Sequence, residues 1–280
     1  MSAVTTADRG AAMRAAEADR RELLLCALPA GALLLLGLLL TFLLGPVAMI
    51  VAALLASALV ALALLGAEGL VARATGARPA DPDAYPRYHN LATGLCTDAG
   101  LRPPRLLLVE AEAPNALAFG GSQRAAIVVT SGLLDALNLV ELEATLAVLV
   151  ERTRSHAAQL GTVAAVMGGL AGLLWYTGAR GLAWLGAPLV PLQRLLPAGR
   201  IDFDADERGA MLTRYPPGLV GALTKAAAAD PAGTPAGARA LAHLWLVEPP
   251  SGVRSEEPGW LWPGLERPSV DERIAELREL

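Results

Sequence analysis

The chain is poor in the residues that build most metal and redox sites. Its 280 residues include only three histidines, His89, His156 and His243, far apart in sequence. That scarcity argues against a histidine-rich metal site. The two cysteines are Cys26 and Cys96, and neither forms a Cys-x-x-Cys pair. A thiol metal centre or dithiol redox motif is thereby excluded. Lysine occurs once, at Lys225, so nearly all basic charge is arginine, and the net charge is −4. Such a balance offers no footprint for nucleic acid. There is no Gly-rich phosphate loop and no Gly-x-Ser-x-Gly elbow, which leaves nucleotide and serine-hydrolase chemistry without support. Internal repeats and long low-complexity segments are absent too.

What the chain has in excess is apolar sequence, 54% of its residues. From Leu23 to Ala67 no residue is charged. That run is about twice the ~20 residues that cross a bilayer core. Gly45-Pro46 interrupts it. We read two transmembrane helices, Leu23–Leu44 and Val47–Gly66, joined by a short turn. A cleaved signal peptide fits less well, because the run is too long and about twenty polar residues precede it. Arg9, Arg14, Arg20 and Arg21 flank the first span, and Arg73 and Arg78 follow the second. By the positive-inside rule both flanks are cytoplasmic. The expectation is a multi-pass protein of the cell membrane with a cytoplasmic main domain.

Four regions follow. Residues 1–22 are a polar cytoplasmic tail, 23–67 the transmembrane hairpin, 68–84 a linker with Pro/Asp turn chemistry, and 85–280 the main domain. Tyr85–Ala99 has helical periodicity closed by Gly100. Arg105–Glu110, the segment after Ala113-Pro114, and Ala125–Thr130 read as strands. Ser131 starts a short helix. Asn138 with Glu141 three residues on forms a capping box for a helix over Leu139–Leu160. Residues 157–192 turn apolar again, as a second membrane hairpin, a re-entrant one or a buried helix pair. Asp202–Thr213 and Leu219–Ala228 read as helices. Ser269 caps a last helix, Val270–Leu280. The fold class expected is α+β, mainly helical.

Five collinear blocks resemble the HtpX-type membrane zinc metalloproteases, relatives of the CAAX prenyl proteases. They are Pro104–Gly120, with a Pro-Asn-Ala-Leu-Ala-Phe segment; Ala126-Ile-Val-Val-Thr-Ser-Gly-Leu-Leu; Glu141-Leu-Glu-Ala-Thr-Leu-Ala; Arg200-Ile-Asp-Phe-Asp-Ala-Asp; and Leu241-Ala-His-Leu-Trp-Leu-Val-Glu-Pro, followed by Arg267-Pro-Ser-Val-Asp-Glu-Arg-Ile. The resemblance covers about residues 85–280 and implies a zincin-like (gluzincin) domain. It also implies zinc as cofactor and peptide-bond hydrolysis as activity.

One block departs from the family at its centre. The family's third block leads into His-Glu-x-x-His, whose two imidazoles share a helix face and one zinc, with Glu as general base. Here the stretch reads Val148-Leu149-Val150-Glu151-Arg152. The family's zinc-ligand positions fall on Val148, Arg152 and Asp202, and its general-base position on Leu149. Val148 and Leu149 carry no lone pair, and Arg152 is a permanent cation without an acceptor. Glu151 and His156 are five apart and diverge around a helix, so no register shift restores the pair. Arg267 stands where the family has a His before Pro.

The expectation is therefore that no catalytic residue or metal ligand of the family is intact and that no cofactor is bound. Arg152 and Asp202 are expected to form an ion pair in place of the metal bridge. Asn115, Ala116, Leu117, Ala118 and Phe119 match a family edge strand able to pair with an extended peptide. His243, in an apolar stretch, reads as a packed core residue. Trp245, Trp260 and Trp262 read either as interface anchors or as domain packing. The leading function is a pseudoprotease with a binding or regulatory role at the membrane. The alternatives are an active metallopeptidase with a non-standard site and a scaffold without a cleft. The partners expected are the lipid bilayer and a protein or peptide client.

Overall fold

A computed structural model describes residues 20–39, 47–61, 67–121, 124–167, 190, 198–230, 233, 241–249 and 267–280. The elements within them are mainly helical around one small mixed sheet. In chain order they are α1 (Arg20–Leu39), α2 (Val47–Ala61), α3 (Ala67–Thr75), β1 (Arg78–Pro79), α4 (Pro86–Asp98), β2 (Arg105–Val109), β3 (Ala116–Phe119), β4 (Ala126–Thr130) and α5 (Ser131–Ala136). Then come α6 (Leu139–Arg154), α7 (Ala157–Met167), α8 (Ala198–Thr213), α9 (Pro216–Ala227) and α10 (Val270–Leu277).

The sheet order is β1-β2-β4-β3, parallel only between β2 and β4. Alternation along the strands divides two cores. Leu117, Phe119, Ala126 and Val128 face one side, with Leu25 and Cys26 of α1, Val71 of α3, and Leu160 and Val163 of α7. Ala116, Ala118, Ile127 and Val129 face the other, with Tyr88 and Leu95 of α4 and Leu142, Leu146 and Leu149 of α6. Period-two side-chain direction is the cause. Strands buried on both faces read as continuous apolar runs, as Ala126–Val129 does.

Helix α6 is the hub. The Asn138–Glu141 capping box starts it as expected: Asn138 Oδ1 accepts from Glu141 N at 2.9 Å, and Glu141 Oε2 accepts from Asn138 N at 2.9 Å. A third core joins Ala144 and Val148 of α6 to Ala205 and Ala210 of α8, Leu219 and Leu223 of α9, and Ile274 and Leu277 of α10. Where α6 meets α8, Gly209 lies against Val148. A Cβ there would sit 2.6 Å from Val148 Cγ2 and 2.8 Å from Val148 N. Gly209→Ala should therefore cost about 3 kcal/mol in an unfolding titration, the upper end for overpacking. Val148→Ala should not rescue it, because the backbone contact remains. A neutral Gly209→Ala would refute this close crossing.

Several boundaries differ from expectation. The helix expected over Leu139–Leu160 is two helices. Arg154 ends α6, and His156 takes a left-handed φ of 60° before α7 begins. The residues expected as a linker hold α3 and β1, and β1 pairs antiparallel with β2 through Arg78↔Leu108. Helix α8 starts at Ala198 rather than Asp202, and α9 at Pro216 rather than Leu219. The final helix ends at Leu277.

Among the described residues one helix, α1, is long and apolar enough to cross a membrane, and α2 is a shorter apolar helix. The turn expected between the two spans and most of the expected 157–192 hairpin lie outside the described residues, as do Trp260 and Trp262.

Candidate functional site: a buried arginine–aspartate cluster

Helix α8 presents Asp202 and Asp206 one turn apart on the face that meets α6 and α10, and both are nearly fully buried. A buried carboxylate without partners is costly, so the surrounding elements must supply cations or donors. Three arginines do so. Arg152, on the last turn of α6, donates from Nη2 to Asp202 Oδ1 at 2.6 Å. Arg267 donates from Nε to Asp202 Oδ2 at 2.8 Å and from Nη2 to Oδ1 at 3.0 Å. Arg273, on α10, holds Asp206 in the same two-point manner, at 2.6 and 2.7 Å. These bidentate forks are the geometry in which arginine outperforms lysine.

The cluster has three guanidinium groups for two carboxylates. The surplus positive charge meets backbone carbonyls of the segment 242–246. Arg152 Nη1 donates to Leu244 O at 3.0 Å, Arg267 to Ala242 O at 2.8 Å and Trp245 O at 3.0 Å, and Arg273 to Leu246 O at 2.6 Å. Arg152 Nε is buried without a hydrogen-bond partner. Burial, partly offset by Asp202 and reinforced by Arg267 and Arg273, pulls the Arg152 guanidinium down to about 10. Burial alone would raise Asp202, but Arg267 and Arg152 outweigh it and hold the carboxyl below its usual range. Both groups are thus charged at neutral pH. His243 lies nearby with Nε2 2.8 Å from Gly161 O. Burial pushes its imidazole down to about 4, against the pull of that carbonyl, so it is neutral.

The other expected positions fall around this cluster. Val148, one turn before Arg152 on α6, is fully buried in the apolar core against α8. Leu149 points into the opposite core between α6 and the sheet. Arg152, Asp202 and Arg267 come together at one point, whereas Val148 and Leu149 face apolar surroundings. Glu151 is buried and paired with Arg154 at 2.9 Å. Among the described residues no group of three or more His, Cys, Asp or Glu side chains could hold a metal ion.

The first half of the edge strand is engaged by the chain itself. β3 is the last strand of the sheet, yet Asn115 to Phe119 are all buried. Trp245 makes an antiparallel bridge to Leu117, and Leu246 N donates to Ala116 O at 2.7 Å. The Asn115 amide closes the contact, donating to Val247 O at 2.7 Å and accepting from Val247 N at 3.2 Å. Beyond Phe119, Gly120 N donates to Thr162 Oγ1 of α7. Trp245 is therefore core packing and not an interface anchor.

The Arg273–Asp206 pair and the carbonyl contacts of segment 242–246 were not foreseen. The available signal was Asp206 four residues after Asp202, matched by Arg273 next to the core residues Ile274 and Leu277.

No family model matches the chain, and no solved structure matches it. Curated relatives do. A protein named "Protease HtpX homolog" from Dictyoglomus turgidum is 31% identical over 208 residues, 66% of this chain and 68% of that protein. One of the same name from Acidiphilium cryptum is 33% identical over 227 residues, 73% and 77% of the two chains. Another from Thermococcus sibiricus is 32% identical over 231 residues, again 73% and 77%. With the collinear blocks, identity at this level over two thirds or more of such relatives means that the chain belongs to the family of HtpX protease homologues.

Proposed function

We propose that this chain is a membrane-anchored, non-catalytic member of its family, a pseudoprotease whose metal site has given way to an arginine–aspartate cluster. The observation that carries the reading is the convergence of Arg152 and Arg267 on Asp202. Zinc does not fit this donor set. A catalytic zinc needs about three protein ligands at ~2.0–2.2 Å for N and O. At the family's ligand positions Val148 offers no donor atom, and both oxygens of Asp202 already accept from guanidinium groups. A dication bound there would lie against two fixed cations. The general-base position, Leu149, can neither hold nor move a proton.

The domain is of zincin-like type, with α6 and α8 in the place of the ligand-bearing helices. It is held at the membrane by α1 and α2 in a multi-pass arrangement, with the domain cytoplasmic. Support comes from the uncharged run over Leu23–Ala67, its arginine-rich flanks and the exposure of Leu35, Leu39, Leu54 and Leu55 on the apolar helices. Of the two non-catalytic readings, a peptide clamp and a membrane scaffold, the occupation of the β3 edge at Ala116 and Leu117 favours the scaffold. Addition of a peptide strand there would require expulsion of Trp245–Val247 from the core.

The test is proteolysis. Full-length protein in mild detergent, supplied with zinc and an unfolded reporter substrate, should cleave no faster than the same sample treated with chelator. Chelator-sensitive cleavage abolished by Asp202→Asn would contradict the proposal.

A further inference from the structure

The start of α1 and the start of α3 approach the domain near one loop, and beside that loop is a basic groove. Glu22, on the first turn of α1, accepts from Gln159 Nε2 of α7 at 3.0 and 3.2 Å. The Gln159 side chain packs over Gly121, where a Cβ would lie 3.0 Å from its Oε1. Gly121 belongs to the β3–β4 connection, and its carbonyl accepts from Arg124 N at 2.9 Å. Glu68 on the first turn of α3, seven residues after the last described residue of α2, reaches the same connection. Its Oε1 lies 3.3 Å from where a Cβ on Gly120 would be. Glu22 of α1 thus reaches the loop that carries Arg124 through Gln159, and Glu68 of α3 lies against it directly.

Beside that loop is an open groove of about 450 Å³ lined by Glu68, Arg102, Pro103, Pro104, Arg105 and Arg124. Three arginines and one glutamate give it a net formal charge of +2. The Arg105–Glu68 ion pair across it is loose: Arg105 Nη2 is 3.7 Å from Glu68 Oε2, and the Arg105 side chain is 57% exposed. An exposed guanidinium with a long contact retains donors for a second acceptor. Pro103-Pro104 stiffens one wall and contributes no N–H, so recognition falls to the side chains.

We propose that this groove binds the phosphate of an anionic phospholipid headgroup, with Arg105 and Arg124 as the main donors. This rests on the reading above that α1 and α2 are membrane-embedded, which sets the groove at headgroup height. Guanidinium groups bind phosphate oxygens through two-point forks. Basic residues at the cytoplasmic surface of anionic membranes each add about a factor of five in affinity. The site would fix the distance of the domain from the bilayer.

The test uses the full chain in mild detergent with equal amounts of phosphatidylglycerol and phosphatidylcholine, lipid adducts being read by native mass spectrometry. Phosphatidylglycerol should be enriched on the order of tenfold, and Arg105→Gln with Arg124→Gln should abolish the enrichment while leaving the melting temperature unchanged. Glu68→Gln should raise it, a change that lost folding cannot imitate. Enrichment that survives the double substitution, or no preference for the anionic lipid, would overturn the proposal. So would displacement of the lipid by millimolar inorganic phosphate, which would make free phosphate the ligand. Carbonate extraction of membranes from the same cells checks the underlying reading separately: release of the chain into the supernatant would sink the membrane placement, whatever the lipid result.

Discussion

Asp202→Ala should be the most destabilising single substitution in the cluster, costing about 3–5 kcal/mol, the range for leaving buried charge without its partner. Among the described residues Asp202 is the only carboxylate held by both Arg152 and Arg267. Its loss leaves three guanidinium groups facing Asp206 alone. Arg152→Met should cost much less, about 1–2 kcal/mol, because Asp202 keeps its two-point contact with Arg267 and the surplus charge disappears. A simple isolated ion pair would give the two substitutions similar costs. The check is a urea titration in mild detergent followed by tryptophan fluorescence. Equal losses would contradict the shared-carboxylate arrangement, and a neutral Asp202→Ala would contradict burial of the cluster.

Restoring the family's motif should fail unless Arg267 is changed as well. Val148→His, Leu149→Glu, Arg152→His and Asp202→Glu together rebuild the ligands and base that the resemblance implies. They leave the Arg267 guanidinium, now 2.8 Å and 3.0 Å from the Asp202 oxygens, beside the new carboxylate. A cation there repels a dication and competes for the same lone pairs. The fourfold variant should therefore bind little zinc, and adding Arg267→His should bring it close to one per chain. Elemental analysis after gel filtration reads both. Stoichiometric zinc in the fourfold variant would show that Arg267 is no obstacle.

Sequence reasoning reached one side of this site and missed the other, for a physical reason. The juxtaposition of Arg152 and Asp202 follows from two helix positions that the family brings together, so the pair could be anticipated from the resemblance. Arg267 was visible as a departure from the family, but its reach to Asp202 depends on where the segment 242–246 lies. Arg273 sits in Asp271-Glu272-Arg273, which reads as the wet face of an amphipathic helix. Only packing against α8 shows that it is buried.

The fold divides in the same way. Local signals located the Asn138–Glu141 capping box and the Ser269 cap, because the residues concerned are neighbours in sequence. The break at His156 lies between two stretches of helix-forming sequence, polar before it and apolar after it, and no adjacent Gly or Pro announces it. β1 is two residues long and exists only through its pairing with β2. The edge of β3 looked available because the segment that covers it, around Trp245, reads merely as an apolar run. Long-range pairing decided each of these, and single-sequence periodicity does not carry it.

The most direct test of the central claim is zinc content. Detergent-purified protein, washed briefly with a mild chelator, should contain near-zero zinc per chain, because Arg152 and Arg267 occupy the carboxylate that a metal would need. Close to one zinc per chain, lost in Asp202→Asn, would contradict the account and return the protein to the working metallopeptidases.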